Sequence, residues 1–293
     1  MSTQYLSLPQ DRILRREWDS MGAFVQQMKQ PAVGHPACNG SEQNNPSWSG
    51  SSNYQQAIDW AEKGWLEGLE RIKAMTGALK KLEGDKADRH IPRFCESGDE
   101  VDIGRFVSGE PENMIDFDVV QVPAAGRVVK LVVNISASCG VSADAMFRRG
   151  AAAVMLADLI EQSGLRSEIV VVSGGTRSGQ GPDGVDFRVT VKRADQPLEL
   201  DRVAFMLASP AAFRRLMFRA YEQLTTEEFN KHIGWAYTTP MNIKVEGEGN
   251  IEVDSLQYGF GNEIRSDADA VKFVEKMLAS LVDGGKEGER IAA

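Results

Sequence analysis

Cysteine is scarce in this chain. The 293 residues include three, Cys38, Cys95 and Cys139. They are odd in number, far apart and without CxxC spacing, which excludes a disulfide framework and a zinc knuckle and fits a reducing compartment. Histidine also occurs three times, and no HExxH, Walker A or EF-hand spacing is present. Long apolar runs are missing: nothing approaches the roughly 18 consecutive apolar residues of a membrane span. The opening MSTQYLSLPQDRILRREWDS lacks the apolar core of a signal peptide, so no membrane partner is expected. Basic charge is not in excess either. Lys and Arg number 33 against 42 Asp and Glu, for a net charge of -9. That is the wrong balance for a general nucleic-acid binder, whose affinity rests on basic contacts to phosphate. What the chain does have is 42% hydrophobic residues, enough to pack one large domain or two ordinary ones.

Composition and periodicity divide the chain. Residues 1–53 read as a flexible segment, because QPAVGHPACNGSEQNNPSWSGSSN is rich in Gly, Ser, Asn and Pro and has no apolar period. Residues 54–118 read as a helical extension and connection: Ile58, Ala61, Trp65, Leu69, Ile72 and Leu79 share a helical face, and the polar stretch from residue 83 to 118 links it onward. Residues 119–283 read as an α/β domain, followed by a tail at 284–293. In that domain VVQVP and RVVKLVVNI are strands, and Ser142 caps a long helix that Gly164 ends. SEIVVVSGG and DFRVTVKRA form an antiparallel hairpin expected at the sheet edge. Two helices follow, divided by Pro210, the second with Phe213, Leu216, Met217, Ala220, Tyr221 and Leu224 on its buried face. MNIKVEG and NIEVDSLQYG are further strands, and a helix capped by Ser266 closes the domain.

The hydroxyl-rich turn NISAS, residues 134–138, stands between a β-branched strand and a long helix, where ligands sit in open α/β sheets. It resembles the D-x-S-x-S turn of von Willebrand factor A-like domains. The resemblance implies a mostly parallel, Rossmann-like sheet and a metal-ion-dependent adhesion site built from Asn134, Ser136 and Ser138, with Asp254 contributed by a neighbouring loop. Asn134 replaces the aspartate of that motif, and a neutral amide does not offset the charge that a hard cation such as Mg²⁺ requires. Two alternatives stand: a turn whose side chains satisfy its own backbone, or a weak or partner-completed Mg²⁺ site. No confident metal ligand and no cofactor is expected. The stretches GWLEGLERI, DIGRFVSGEPENM, RRGAAAVMLADLIEQSG and DQPLELDRVAFMLASPAAFRRLMF together resemble an uncharacterised family found in bacteriophages and prophage-like elements, over residues 54–282.

Other signals have plainer readings. SASCG nearly fits the G-x-S-x-G nucleophile elbow, which would make Ser138 a nucleophile with His232 as base. GQGPDG matches a dinucleotide fingerprint by letters only, since a strand follows it where a helix is needed. His35 and Cys38 are too few for a metal site. Arg148, Arg149, Arg214, Arg215 and Arg219 read as solvated outer faces of helices, with an anionic-ligand surface as the alternative. The resemblance implies a non-enzymatic protein-interaction module of phage or mobile-element origin, acting in the host cytoplasm and binding an unidentified protein through loops at the carboxyl edge of the sheet. The alternatives are a serine hydrolase using Ser138, and a virion structural or assembly protein.

Overall fold

A computed structural model describes residues 9–33, 39–76, 86–123, 128–177, 183–234, 237–242, 244, 251–256, 264 and 266–283. The chain divides into two units. One comprises Met1–Lys81, Val128–Glu161 and Arg166–Ala293, the other Leu82–Arg127 with Gln162–Leu165.

The chain begins in the first unit with strand β1 (Ile13–Trp18) and helix α1 (Met21–Met28). Ser20 caps α1 by accepting a hydrogen bond from the Ala23 amide at 3.1 Å, and Met21, Phe24, Val25 and Met28 are buried. A short helix α2 (Pro46–Ser49) precedes α3 (Tyr54–Lys63) and α4 (Leu66–Thr76). The expectation of a flexible segment over residues 1–53 is corrected here: its described part contributes a strand, a helix and buried side chains. The physical reason is that its apolar residues are few but well placed, and its polar ones find partners elsewhere in the fold. Of the helical face predicted across α3 and α4, Ile58, Ala61, Trp65, Leu69 and Ile72 are buried, while Leu79 lies outside the described residues. Gly64, at φ 93°, makes the break between the two helices in a conformation that a side chain would strain.

In the second unit, β2 (Lys86–Cys95), β3 (Glu100–Val101), the short helix α5 (Ile103–Val107) and β4 (Met114–Pro123) build a small antiparallel sheet in the order β2-β4-β3. Residues 83–118 are therefore not a connection. VVQVP is the end of β4 and belongs to this sheet, so the α/β domain starts at Val128 rather than at 119. Asp116 to Val119 alternate polar with apolar, but the alternation breaks at the adjacent Val119 and Val120, so no clean period-two signal marks the strand in the sequence.

The first unit then resumes with β5 (Val128–Asn134), α6 (Ala143–Gln162), β6 (Arg166–Thr176), β7 (Gly184–Lys192) and α7 (Leu200–Ala208). A π-helical turn, Ala212–Met217, runs into α8 (Phe218–Glu222), and α9 (Thr226–Glu228), β8 (Thr239–Pro240), β9 (Ile251–Val253) and α10 (Asp267–Asp283) follow. The strand order is β1-β7-β6-β5-β9, with β8 beside the end of β6. β5 runs parallel to both β6 and β9, β6 and β7 are antiparallel, and β1 is parallel to β7. The result is a mixed α/β fold with a mostly parallel sheet. The hairpin of β6 and β7 is not at the edge as expected, because β1 covers its outer side. Of the predicted strand MNIKVEG, residues 243 and 245–247 lie outside the described residues, as does the tail at 284–293.

Consecutive residues Leu131, Val132 and Val133 of β5 and Ile169, Val170, Val171 and Val172 of β6 are all buried. That is the mark of strands covered on both faces. Each such side chain contributes about 1.5–3 kcal/mol of burial. α6 is buried nearly all round, from Ala145 to Ile160. At Gly150 a Cβ atom would stand 2.0 Å from the Leu207 carbonyl oxygen, so glycine is what lets α7 cross there. Trp65 packs edge-on against Phe147, and Trp60 lies against Phe205.

Candidate functional site

The chain leaves β5 for β6 on one side and returns to β9 on the other, so the sheet reverses its winding at the carboxyl ends of β5 and β9, where open α/β sheets hold ligands. Asn134 and Asp254 each stand one residue past the last β5–β9 pair, Val133 with Val253. The structure thus brings together the two loops that the sequence singles out. It also closes the crevice between them with backbone. Ala137 bridges Leu256 in parallel register, the Ser138 amide donates to the Leu256 carbonyl at 2.9 Å, and the Leu256 amide donates to the Ser136 carbonyl at 2.9 Å.

The side chains of the turn are directed at the protein itself. Asn134 is buried; its Oδ1 accepts from the Ser136 amide at 3.0 Å and its Nδ2 donates to the Met241 carbonyl at 2.9 Å. Met241 lies just past β8, and its own amide donates to the Gly174 carbonyl at 3.0 Å. β8 therefore runs beside β6 beyond the point where β5 has ended. Ser136 is buried too, with its Oγ 3.0 Å from Ser173 Oγ and accepting from the Gly174 amide at 3.2 Å. Ser173 Oγ in turn lies 2.5 Å from the hydroxyl of buried Tyr221. Burial pushes that phenol up to about 12, although its bonds to Ser173 and Thr238 act the other way. Ser138 is half-buried, and Cys139 and Gly140 after it are exposed.

Asp254 is half-buried and offers its backbone carbonyl to Nη1 of Arg149 at 2.5 Å. Burial, together with nearby Glu252, holds its carboxyl above the ordinary range, with Arg149 opposing. Burial lowers the Arg149 guanidinium to about 10, against the pull of Asp254. These donors do not fit a divalent cation: the Asn134 oxygen is engaged by an amide, and the Ser136 hydroxyl is buried and shared. His232 does not meet Ser138. It stands by Asp183, Gly184 and Arg12, and among the described residues its Nδ1 has no partner and no hydrogen bond links it to Ser138.

The arginines depart from expectation. Arg148 is half-buried between Asp144 and Asp267, and Arg149, Arg214, Arg215 and Arg219 are buried. Arg214 donates to the carbonyls of Trp48 and Val141, each at 2.6 Å, and lies 4.2 Å over the Trp48 ring. Arg215 makes five hydrogen bonds, to the carbonyls of Ser41, Gln43 and Ser51 and the hydroxyls of Ser49 and Ser51. Arg219 pairs with Glu42 and Glu222. These residues are not a ligand surface but the anchor of the segment 39–51. Reading by periodicity missed them because the helix is buried on its second face by a segment distant in sequence. Ser173, Met241 and Asn242 also complete the turn's surroundings without any local sequence signal, and Tyr221, legible as buried, joins them through its hydroxyl. Asn242 does so by accepting from the Ser255 amide at 2.7 Å.

No curated protein and no solved structure matches this chain. One family model does, a domain of unknown function named DUF7192, over residues 3–282. With nearly its whole length matched, the chain belongs to the DUF7192 family.

Proposed function

We propose that the chain is a non-enzymatic protein-interaction module that binds a protein partner with the loops at the carboxyl edge of its main sheet. The observation that carries this reading is the closed crevice. Where a substrate or ion would enter between β5 and β9, the paired backbones of Ser136, Ser138 and Leu256 stand instead, and the side chains of Asn134 and Ser136 are spent inside the fold. What the turn offers outward is a rim of half-buried Ser138 and exposed Cys139 and Gly140, a surface suited to a macromolecule. A turn at the end of a central parallel strand, a long helix after it and Asp254 on the adjacent loop support a von Willebrand A-like scaffold with a lapsed adhesion site. This reading needs no cofactor, and it takes the origin to be a phage or mobile element and the place of action the host cytoplasm.

Affinity capture from extract of the native host tests it, with the wild type beside Cys139→Arg and Gly140→Arg. A specific partner should be retained by the wild type and lost from both variants at unchanged melting temperature. Equal capture by all three counts against this face, and labelling of Ser138 by an active-serine probe would establish the hydrolase reading instead.

A further inference from the structure

The second unit carries an apolar face turned to water. Ile103, Phe106 and Val107 stand at i, i+3 and i+4 on α5, one side of a helical turn, and are 74%, 63% and 78% exposed. Val101, just before the helix, is exposed as well, and in the sheet it and Cys95 face the same residue, Met114, across β4. Helical residues at this spacing normally face a core, and an exposed cluster of this kind marks an interaction surface. Asp102 caps the turn by accepting from the Arg105 amide at 3.0 Å.

Its surroundings say what covers it. From residue 93 to 116 the chain has seven acidic side chains and two basic ones, a local net charge of -5. Glu96, Asp99, Glu100, Glu110 and Glu112 are exposed. Both arginines are engaged: Arg93 lies 3.5 Å from Asp116, and Arg105 stacks on the Phe94 ring at 3.8 Å and pairs with Glu110 at 3.2 Å. A second copy would bring two acidic rims together, and an anionic membrane or a nucleic acid would meet the same repulsion. We propose that the face of Ile103, Phe106 and Val107, with its acidic rim, docks a cationic amphipathic segment of a partner protein, apolar side chains on the helix face and Lys or Arg against the carboxylates. This surface belongs to the second unit and does not depend on the function proposed for the Asn134 turn.

Titration of the full-length protein with a synthetic amphipathic Leu/Lys helix, and with a Leu/Glu helix of the same pattern, is the test. The Leu/Lys peptide should bind saturably and more weakly as salt rises, and the Leu/Glu peptide should not bind. Phe106→Ser with Val107→Ser should weaken binding roughly tenfold or more, as should Glu100→Lys with Glu112→Lys, at unchanged melting temperature. Cys139→Arg should leave it unaltered. Absence of saturable binding, or binding indifferent to both pairs of substitutions, would overturn the proposal. So would self-association abolished by Phe106→Ser, or binding to anionic vesicles in place of the peptide.

Discussion

The amide nitrogen of Asn134 donates to the Met241 carbonyl at 2.9 Å, and an aspartate there would set oxygen against oxygen. Asn134→Asp is therefore expected to lose about 1–3 kcal/mol in the absence of metal, the cost of an unmet buried acceptor. If the turn is a lapsed adhesion site, Mg²⁺ should restore part of the lost melting temperature by binding only the folded state, and the wild type should show no such shift. Melts of both proteins with Mg²⁺ and with chelator decide it; a variant blind to Mg²⁺ removes the adhesion-site reading. Glu161 offers a second test. It accepts from the Ser167 amide at 2.8 Å, the Ser167 hydroxyl at 2.7 Å and buried Lys192 at 2.7 Å. Burial works against its charge, yet these partners together hold its carboxyl below the ordinary range. A depressed folded pKa contributes stability that is present above the unfolded value and lost as pH falls through the folded one. Glu161→Gln should thus cost about 2 kcal/mol at neutral pH, with the gap to wild type closing below about pH 4.3, the unfolded glutamate value. A gap constant with pH would mean that the carboxylate charge is not the stabilising feature.

Among the elements, the helix from Pro210 to Glu222 shows two covered faces of different kinds. Phe213, Leu216, Met217, Ala220 and Tyr221 meet apolar neighbours, while Arg214, Arg215 and Arg219 receive the segment 39–51, and all are buried. Arg215 alone accounts for three backbone carbonyls of that segment. Arg215→Ala leaves those acceptors unmet and is expected to cost about 3 kcal/mol or more. Amide exchange should accelerate chiefly over residues 41–51. Arg215→Lys should rescue little, because a single ammonium cannot span the planar fork of contacts. A loss below about 0.5 kcal/mol, the range of an ordinary surface substitution, would return Arg215 to the solvated face that periodicity alone implies.

For the whole molecule, the consequence concerns the first 53 residues. β1 closes the outer side of β7 from Ile13 opposite Gly184 to Trp18 opposite Val189, and Arg15 pairs with buried Asp186 at 2.9 Å. Trp18 stands edge-on to Phe24 and Phe187. A chain starting at Tyr54 would open a sheet edge, uncover Phe187 and leave the guanidiniums of Arg214, Arg215 and Arg219 without most of their partners. It is expected to lose cooperative thermal unfolding or to aggregate through the bared edge. Cooperative melting within a few degrees of the full chain would show that the amino-terminal part is dispensable.

The sequence by itself determined the elements whose pattern repeats locally. The β-branched runs of β5, β6 and β7, the caps at Ser142 and Ser266, the break at Ser209 and Pro210 and the buried stripe from Phe213 to Leu224 were all legible, because each signal lies within a few residues of the structure that it specifies. It also singled out the turn at 134–138 and the neighbouring Asp254. What only the tertiary structure decided was where polar groups find partners across long separations. The amide of Asn134 reaches a carbonyl 107 residues away, and the guanidinium of Arg215 reaches one 174 residues away. A polar side chain carries no sign in sequence of whether water or a distant backbone will satisfy it, so a glycine- and serine-rich segment read as flexible became the cover of a buried arginine cluster. β4 was legible only in part for a related reason: its VVQVP end carries a β-branched signal, but which sheet it joins is settled by pairing with β2 and β3 that the fold alone creates.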